Sequence, residues 1–179
     1  MDLSNLQTLL ARLSGARVLC VGDVMVDRFV YGDVTRVSPE APIPVLARSR
    51  EIVMLGAAGN VARNVAALGG EVSLIGLVGG DAEGHEAMRL VGADTGVEGF
   101  LLTDPSRPRT LKTRFVSGGQ QLLRVDLEES RPAEGEVEQR LIRTIRDVAT
   151  GCGVILLSDY GKGVVTDAVI AAVREAGIP

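Results

Sequence analysis

The sequence predicts an α/β protein built on a mostly parallel sheet, with a smaller antiparallel sheet inserted into it. Three observations carry this. Continuous apolar runs at 17–22 (RVLCVG), 70–79 (GEVSLIGLVG) and 153–158 (GVILLS) have the length of strands buried on both faces. Between them lie stretches with apolar residues three and four apart, the spacing of amphipathic helices. Residues 28–55 differ, with β-branched and aromatic residues in loose alternation around Pro39, Pro42 and Pro44, as in two or three half-exposed strands. Strands alternating with helices join through right-handed crossovers and pair in parallel.

In chain order, Leu3, Leu6, Leu9, Leu10 and Leu13 predict a helix over 2–13 that stops at Gly15. The first buried strand empties into Asp23 and Asp27, polar residues at a strand's carboxyl end, where open α/β sheets gather ligand contacts. LGAAGNVARNVAALGG (55–70) reads as a glycine-rich turn, Gly56 to Asn60, opening a helix that Gly69-Gly70 closes with a left-handed cap. Free backbone N–H groups at such a turn suit an anion or a polyhydroxyl ligand; the plain alternative is a tight turn into a helix of small residues. The strand 70–79 leads to a helix over 81–91 with His85 on its surface, then a short strand 99–103 before Asp104-Pro105. Residues 110–117 and 120–129 form a hairpin about Gly118-Gly119. Its polar face carries Lys112, Arg114, Gln121, Arg124 and Asp126, either solvated or turned into a cleft. A helix over 134–148 follows, with Val137, Leu141, Ile145 and Val148 on one stripe. The buried strand after it empties into Asp159, Tyr160 and Lys162, and a helix over 166–176 is capped by Gly177. A crossover helix with no strand after it leads to the expectation that the chain is the N-terminal part of a longer protein.

Composition narrows the function classes. With a net charge of −4, 3% aromatic residues and no Trp among 179 residues, the chain lacks the basic footprint and stacking platforms of nucleic-acid binders. No apolar run reaches the roughly 18 residues that span a membrane, and no signal peptide is visible. Cys20 and Cys152, both in apolar runs, suit free thiols in a reducing compartment, so the expected location is cytoplasmic. One histidine offers no partner set for Ser-His-Asp or Cys-His chemistry.

Two common phosphate cradles are missing: Gly161-Lys162 is followed by Gly163 rather than Ser or Thr, and no GxGxxG follows the first strand. What remains are polar groups at strand ends, namely Asp27, the Gly56–Asn60 turn and the Asp159–Lys162 group. Carboxylates and amides bind sugar hydroxyls directionally, and lysine or arginine supplies the countercharge for a phosphate.

Four stretches, VGDVMVDRFVYGDVTRVSPEAPIPVL, LGAAGNVARNVAALGG, TLKTRFVSGGQQLLRVDLEE and LSDYGKGV, resemble in order the ribokinase-like (PfkB) carbohydrate kinases. Within that family they are most similar to the heptose 7-phosphate kinase domains of bacterial ADP-heptose synthesis enzymes. GDVMVDR, SPEAPIPV and QQLLRVD are the specific part; the glycine turn alone marks the broad family. The resemblance implies a three-layer α/β/α fold with a small antiparallel β lid at 28–55 and part of 110–127. Residues 1–179 would be the N-terminal part of one kinase domain.

It further implies ATP-dependent phosphorylation of the anomeric O1 of D-glycero-β-D-manno-heptose 7-phosphate, on the way to the lipopolysaccharide core. Asp27 and Asn60 are expected on sugar hydroxyls, Gly56 and Ala57 along the sugar through their backbone, and Lys162, Arg114 and Gln121 at the substrate phosphate. The lid is expected to form a homodimer contact, and a nucleotidyltransferase domain can follow in the same polypeptide. The general-base aspartate and most of the site for ATP and Mg2+ are expected beyond residue 179. The chain by itself is therefore expected to hold no catalytic residue or metal ligand and to be inactive. Two departures stand out: Ala57 replaces a usual glycine, and Gly118-Gly119 replace bulkier polar residues. The alternatives are another PfkB kinase, for ribose, fructose 6-phosphate or a nucleoside, and a non-catalytic sugar-phosphate-binding module.

Overall fold

The computed structural model describes residues 5, 8, 11, 14–107 and 110–179. The helix expected over 2–13 lies largely outside these residues; Asn5, Thr8 and Ala11 are helical. The elements are β1 (Arg17–Gly22), β2 (Val24–Val37), β3 (Pro44–Ala57), α1 (Ala58–Ala67), β4 (Glu71–Gly79), α2 (Ala82–Ala93), β5 (Val97–Asp104), β6 (Leu111–Ser117), β7 (Gln120–Leu127), α3 (Gly135–Ala149), β8 (Val154–Ser158) and α4 (Asp167–Glu175).

The main sheet runs β5-β4-β1-β8 with every pair parallel. Its side chains divide with the two-residue period of strands. Cys20, Val72, Leu74 and Val78 pack with Ala58 and Ala62 of α1 and with Ala87 and Val91 of α2. Leu19, Val21, Ile75 and Leu77 pack with Leu141 and Ile145 of α3 and Val169 of α4. Helices on both faces of one sheet give the three layers that the resemblance implies. Burial pushes the Cys20 thiol up to about 12, which leaves it an inert core residue. β8 departs from expectation: it is an edge strand with Val154 and Leu157 exposed, because its apolar run has a neighbour only on the β1 side among the described residues.

The second sheet has the order β3-β2-β6-β7. The lid was expected to be antiparallel, yet β2 and β6 pair in parallel, so the sheet is mixed. Each of these strands is the outgoing arm of a hairpin leaving the main body from the same end, and arms leaving together run the same way. The lid is also longer than expected. β2 starts one residue after β1, and β3 continues through Ala57 before α1 begins.

The expected glycine turn is therefore a single corner. Ala57 sits there at φ 48° and ψ −125°, the conformation of a type II′ turn corner, where glycine is favoured and a Cβ is strained. The far end of α1 follows the sequence reading: Gly69 has φ 91°, its N–H donates to Ala66 O and that of Gly70 to Val65 O, a complete Schellman cap.

One buried residue joins the two sheets. Asp23, 1% exposed, is the only residue between β1 and β2. Its Oδ2 accepts from the N–H groups of Tyr160 (2.8 Å) and Lys162 (3.0 Å), and its Oδ1 from that of Val164 (3.1 Å). Its own N–H donates to Ser158 O at 3.1 Å, and its carbonyl accepts from Ala58 N–H at 2.9 Å. That last bond takes up the first N–H of α1, which the sequence reading had left open for a ligand.

Two outcomes test this. Ala57→Gly should raise stability by about 1 kcal/mol, strain relief less glycine's extra unfolded-state entropy, read as a higher urea midpoint at unchanged slope. Asp23→Ala leaves the N–H groups of Tyr160, Lys162 and Val164 without their acceptor and should lower stability by about 3 kcal/mol or more. Asp23→Asn, which keeps one acceptor oxygen, should recover part of that loss in the same titration.

Candidate functional site

The loops after β1, β5 and β8 meet the root of the lid, and the charged side chains collect there. On β2, Asp27 pairs with Met54 on one side and Lys112 on the other. Its Oδ1 accepts from Arg114 Nη1 at 2.5 Å, and the Arg114 guanidinium lies 5.1 Å from the centroid of the Phe29 ring. Asp27 Oδ2 turns towards Gly56: a Cβ placed there would stand 2.5 Å from that oxygen and 2.8 Å from Met25 Cγ. Only glycine at 56 lets the carboxylate lie against the strand, where it presents an acceptor beside bare backbone.

A second group joins the lid to the loop after β8. Lys112 Nζ lies 3.1 Å from Asp126 Oδ2 and 2.8 Å from Glu128 Oε2. Lys162 Nζ lies 3.0 Å from Glu128 Oε1 and 3.2 Å from Ser130 Oγ. Hydrogen bonds from Lys112 and then Lys162 hold the Glu128 carboxyl below its ordinary range. Burial pulls the Lys112 ammonium down, but its bonds to Glu128 and Asp126 outweigh that and leave it above its ordinary value. Lys162 was expected as a ready countercharge for phosphate; here its charge is already matched by Glu128.

Arg107 fixes the same loop from behind. Its buried guanidinium donates to the carbonyls of Lys162 (2.5 Å) and Arg131 (2.7 Å) and lies 3.6 Å from Asp104 Oδ2. Asp104, despite burial, is held low by hydrogen bonds from Ser106 and by the charges of Arg107 and Arg131. The Lys162 peptide is thus held at its N–H by Asp23 and at its C=O by Arg107.

Of the residues singled out from the sequence, the structure brings together Asp27, Gly56 and Arg114, with Ala57 next to them and Lys162 beyond Glu128. Asn60 and Gln121 share none of the described hydrogen bonds with that group. Asn60 is exposed in the first turn of α1, lining an open depression with Arg63, Asn64 and Asp94. Gln121 is exposed on β7 opposite Val116, beside the register shift at Phe115/Val116. Sequence reasoning passed over Asp23 as a hub, and it missed Arg107 and Glu128. Spacing does carry one signal for Asp23, a lone carboxylate between two apolar strand runs. A depression of about 580 Å3 lined by Arg17, Glu71, Val97 and Asp147 lies at the amino ends of β1, β4 and β5, at the opposite end of the sheet.

Among the described residues no three His, Cys, Asp or Glu side chains come together in a cluster that could hold a metal ion by itself. The nearby carboxylates are engaged, Asp23 by three N–H groups and Asp27 by Arg114. These residues do not fit a resident Mg2+. What they can do is bind hydroxyls through Asp27 and an oxyanion through the lysines and arginine.

Residues 16–177 match the pattern of the pfkB family carbohydrate kinases. The chain is 52% identical over 172 residues to the bifunctional protein HldE of Hyphomonas neptunium, covering 96% of this chain and 35% of that protein. It is 47% identical over 176 residues to the bifunctional protein HldE of Paramagnetospirillum magneticum, covering 98% of this chain and 36% of that one. The chain thus spans about a third of the length of these curated relatives. A carbohydrate kinase from Agrobacterium tumefaciens superposes with a TM-score of 0.64 at 21% identity, over 92% of this chain and 52% of that one. Phosphofructokinase-2 from Escherichia coli in complex with fructose-6-phosphate superposes with 0.62 at 21% identity, over 92% and 53%. These two likenesses bear on the fold, which is ribokinase-like as expected. With the match running through both sheets and every loop of the site, the chain belongs to the pfkB family of carbohydrate kinases.

Proposed function

We propose that the chain is the sugar-side part of an ATP-dependent kinase acting on the anomeric O1 of D-glycero-β-D-manno-heptose 7-phosphate, in ADP-heptose and lipopolysaccharide core synthesis. The observation that carries the reading is the meeting of Asp27, Gly56 and Arg114 at the root of the lid. The SPEAPIPV and QQLLRVD stretches and the two HldE relatives support heptose over other sugars.

Phosphoryl transfer depends chiefly on positioning and charge stabilisation, and this chain's residues serve the first. Asp27 accepts a sugar hydroxyl through the oxygen that Arg114 leaves open. Arg114 fixes that carboxylate. Gly56 and the Ala57 corner bring backbone close to the ring, and Asn60, in the first turn of α1, contributes a further hydroxyl contact. Lys162, with Gln121 more distant, addresses the substrate phosphate. On this reading ATP and Mg2+ belong mainly to a C-terminal half holding the general-base aspartate. The one-third coverage of the HldE relatives supports such a half, and their name supports a second activity in the same polypeptide.

The reading puts the protein in the cytoplasm. Both cysteines are free, and no helix among the described residues is long and apolar enough to cross a membrane. It also makes the lid a homodimer surface. On the lid face opposite Asp27, β7 exposes Leu123 (56%), Val125 (50%) and Leu127 (44%), a row that self-association would cover.

Phosphorus NMR of the full-length protein with ATP, Mg2+ and heptose 7-phosphate should show a 1,7-bisphosphate, and residues 1–179 alone should give none. Formation of a fructose bisphosphate from fructose 6-phosphate, with heptose 7-phosphate left untouched, would sink the heptose assignment. Asp27→Ala should lower kcat/KM by about a hundredfold. Val125→Lys should convert a dimer to a monomer in sedimentation velocity; a wild-type protein already monomeric at high concentration refutes the lid interface.

A further inference from the structure

Glu128 holds a position at the lid root that a ligand's oxyanion would take. One of its oxygens is 2.8 Å from Lys112 Nζ and the other is 3.0 Å from Lys162 Nζ. Lys112 belongs to the lid and Lys162 to the loop after β8, so the two ammonium groups come from the two bodies that flank the cleft. Their side chains are 15% and 16% exposed, which removes each from most of its water and calls for a counter-anion between them. Two point charges, each on one oxygen of the same group, form a seat suited to a phosphate as much as to a carboxylate.

The carboxylate itself is weakly anchored. Glu128 lies past Leu111↔Leu127, the last ladder pair of β6 and β7, in a segment without regular structure. The two lysines are better held. Lys112 keeps Asp126 as a second partner, and Lys162 keeps Ser130 and a peptide fixed at both ends. The seat persists if Glu128 swings out.

We propose that Lys112 and Lys162 form a phosphate seat and that Glu128 is its internal occupant, displaced when a phosphate enters. This rests on the kinase reading above only for the identity of the arriving phosphate, that of a sugar. A doubly charged phosphate gains more from two lysines than a singly charged carboxylate does. A neutral sugar gains nothing there and leaves Glu128 in place. The arrangement therefore admits phosphorylated sugars and holds back unphosphorylated ones by making the ligand displace a charge.

Calorimetric titration of inorganic phosphate and, separately, of heptose 7-phosphate tests this on the wild type and three variants. Glu128→Gln removes the competitor and should tighten binding of both ligands about three- to tenfold. Lys112→Met should weaken both by at least as much. Glu129→Gln removes the same charge from the neighbouring residue, which pairs with Arg131 rather than the lysines, and should change either affinity less than about twofold. Unchanged or weaker phosphate binding by Glu128→Gln overturns the proposal, because a merely structural bridge behaves that way. So does equal tightening by Glu129→Gln, which would make the effect one of net charge. Tightening for inorganic phosphate without tightening for heptose 7-phosphate keeps the seat and rejects the heptose reading.

Discussion

The carboxylate of Asp23 accepts three backbone N–H groups from a loop that starts where β8 ends, and the same residue's main chain bonds to Ser158 and Ala58. Five hydrogen bonds on one buried residue thus fix β1, β2, α1 and the 159–164 loop relative to one another. A buried carboxyl group that accepts from several N–H groups holds them firmly, and leaving those donors bare is costly. The loop can bend inward to reach it because Gly161 and Gly163 take φ of 68° and 92°. At Gly163 a Cβ would stand 2.1 Å from Arg131 O, so the loop also fits closely against the 131–133 segment. The place of Lys162, and with it the charge pattern of the site, follows from this bonding.

The second feature is that the site's charges are already paired. Asp27 is matched by Arg114, Glu128 by two lysines, and Asp126 by Lys112 and Arg124. Partly exposed pairs of this kind add little to stability. Their effect is on orientation: each side chain has one rotamer it prefers before a ligand arrives, and a ligand must trade one partner for another. Arg107 is different in kind, since its buried guanidinium satisfies two carbonyls and so serves the backbone rather than the cleft.

The alternation of strands and helices in the main body was legible because buried strands and amphipathic helices write two different periods into the chain. Leu19 and Val21 against Cys20, or Leu141 with Ile145, carry those periods without help from tertiary context. The parallel pairing of β2 with β6 was not legible. It joins segments more than eighty residues apart, and local alternation is the same for either direction. Asp27 stood out as a carboxylate at a strand end, and Gly56 as part of a glycine cluster. Arg107 and Glu128 stood out in neither way: each sits in a polar stretch that reads as solvated, and their partners are backbone oxygens or lysines distant in sequence. Ala57 was visible only as a departure from family habit, and its positive φ gives that departure a physical meaning.

The register of the lid has a mechanical side. Val24 pairs with Ala57, and two residues further out Val26 pairs with Leu111, itself paired with Leu127. All four lid strands therefore pass into the main body along one short line, as the leaves of a door meet along its pins. Rotation about that line swings Arg50 and Tyr31 through a wide arc while Asp27, one residue from the pins, hardly travels. The Asp27 carboxylate keeps its place beside Gly56 whatever the outer part of the lid does.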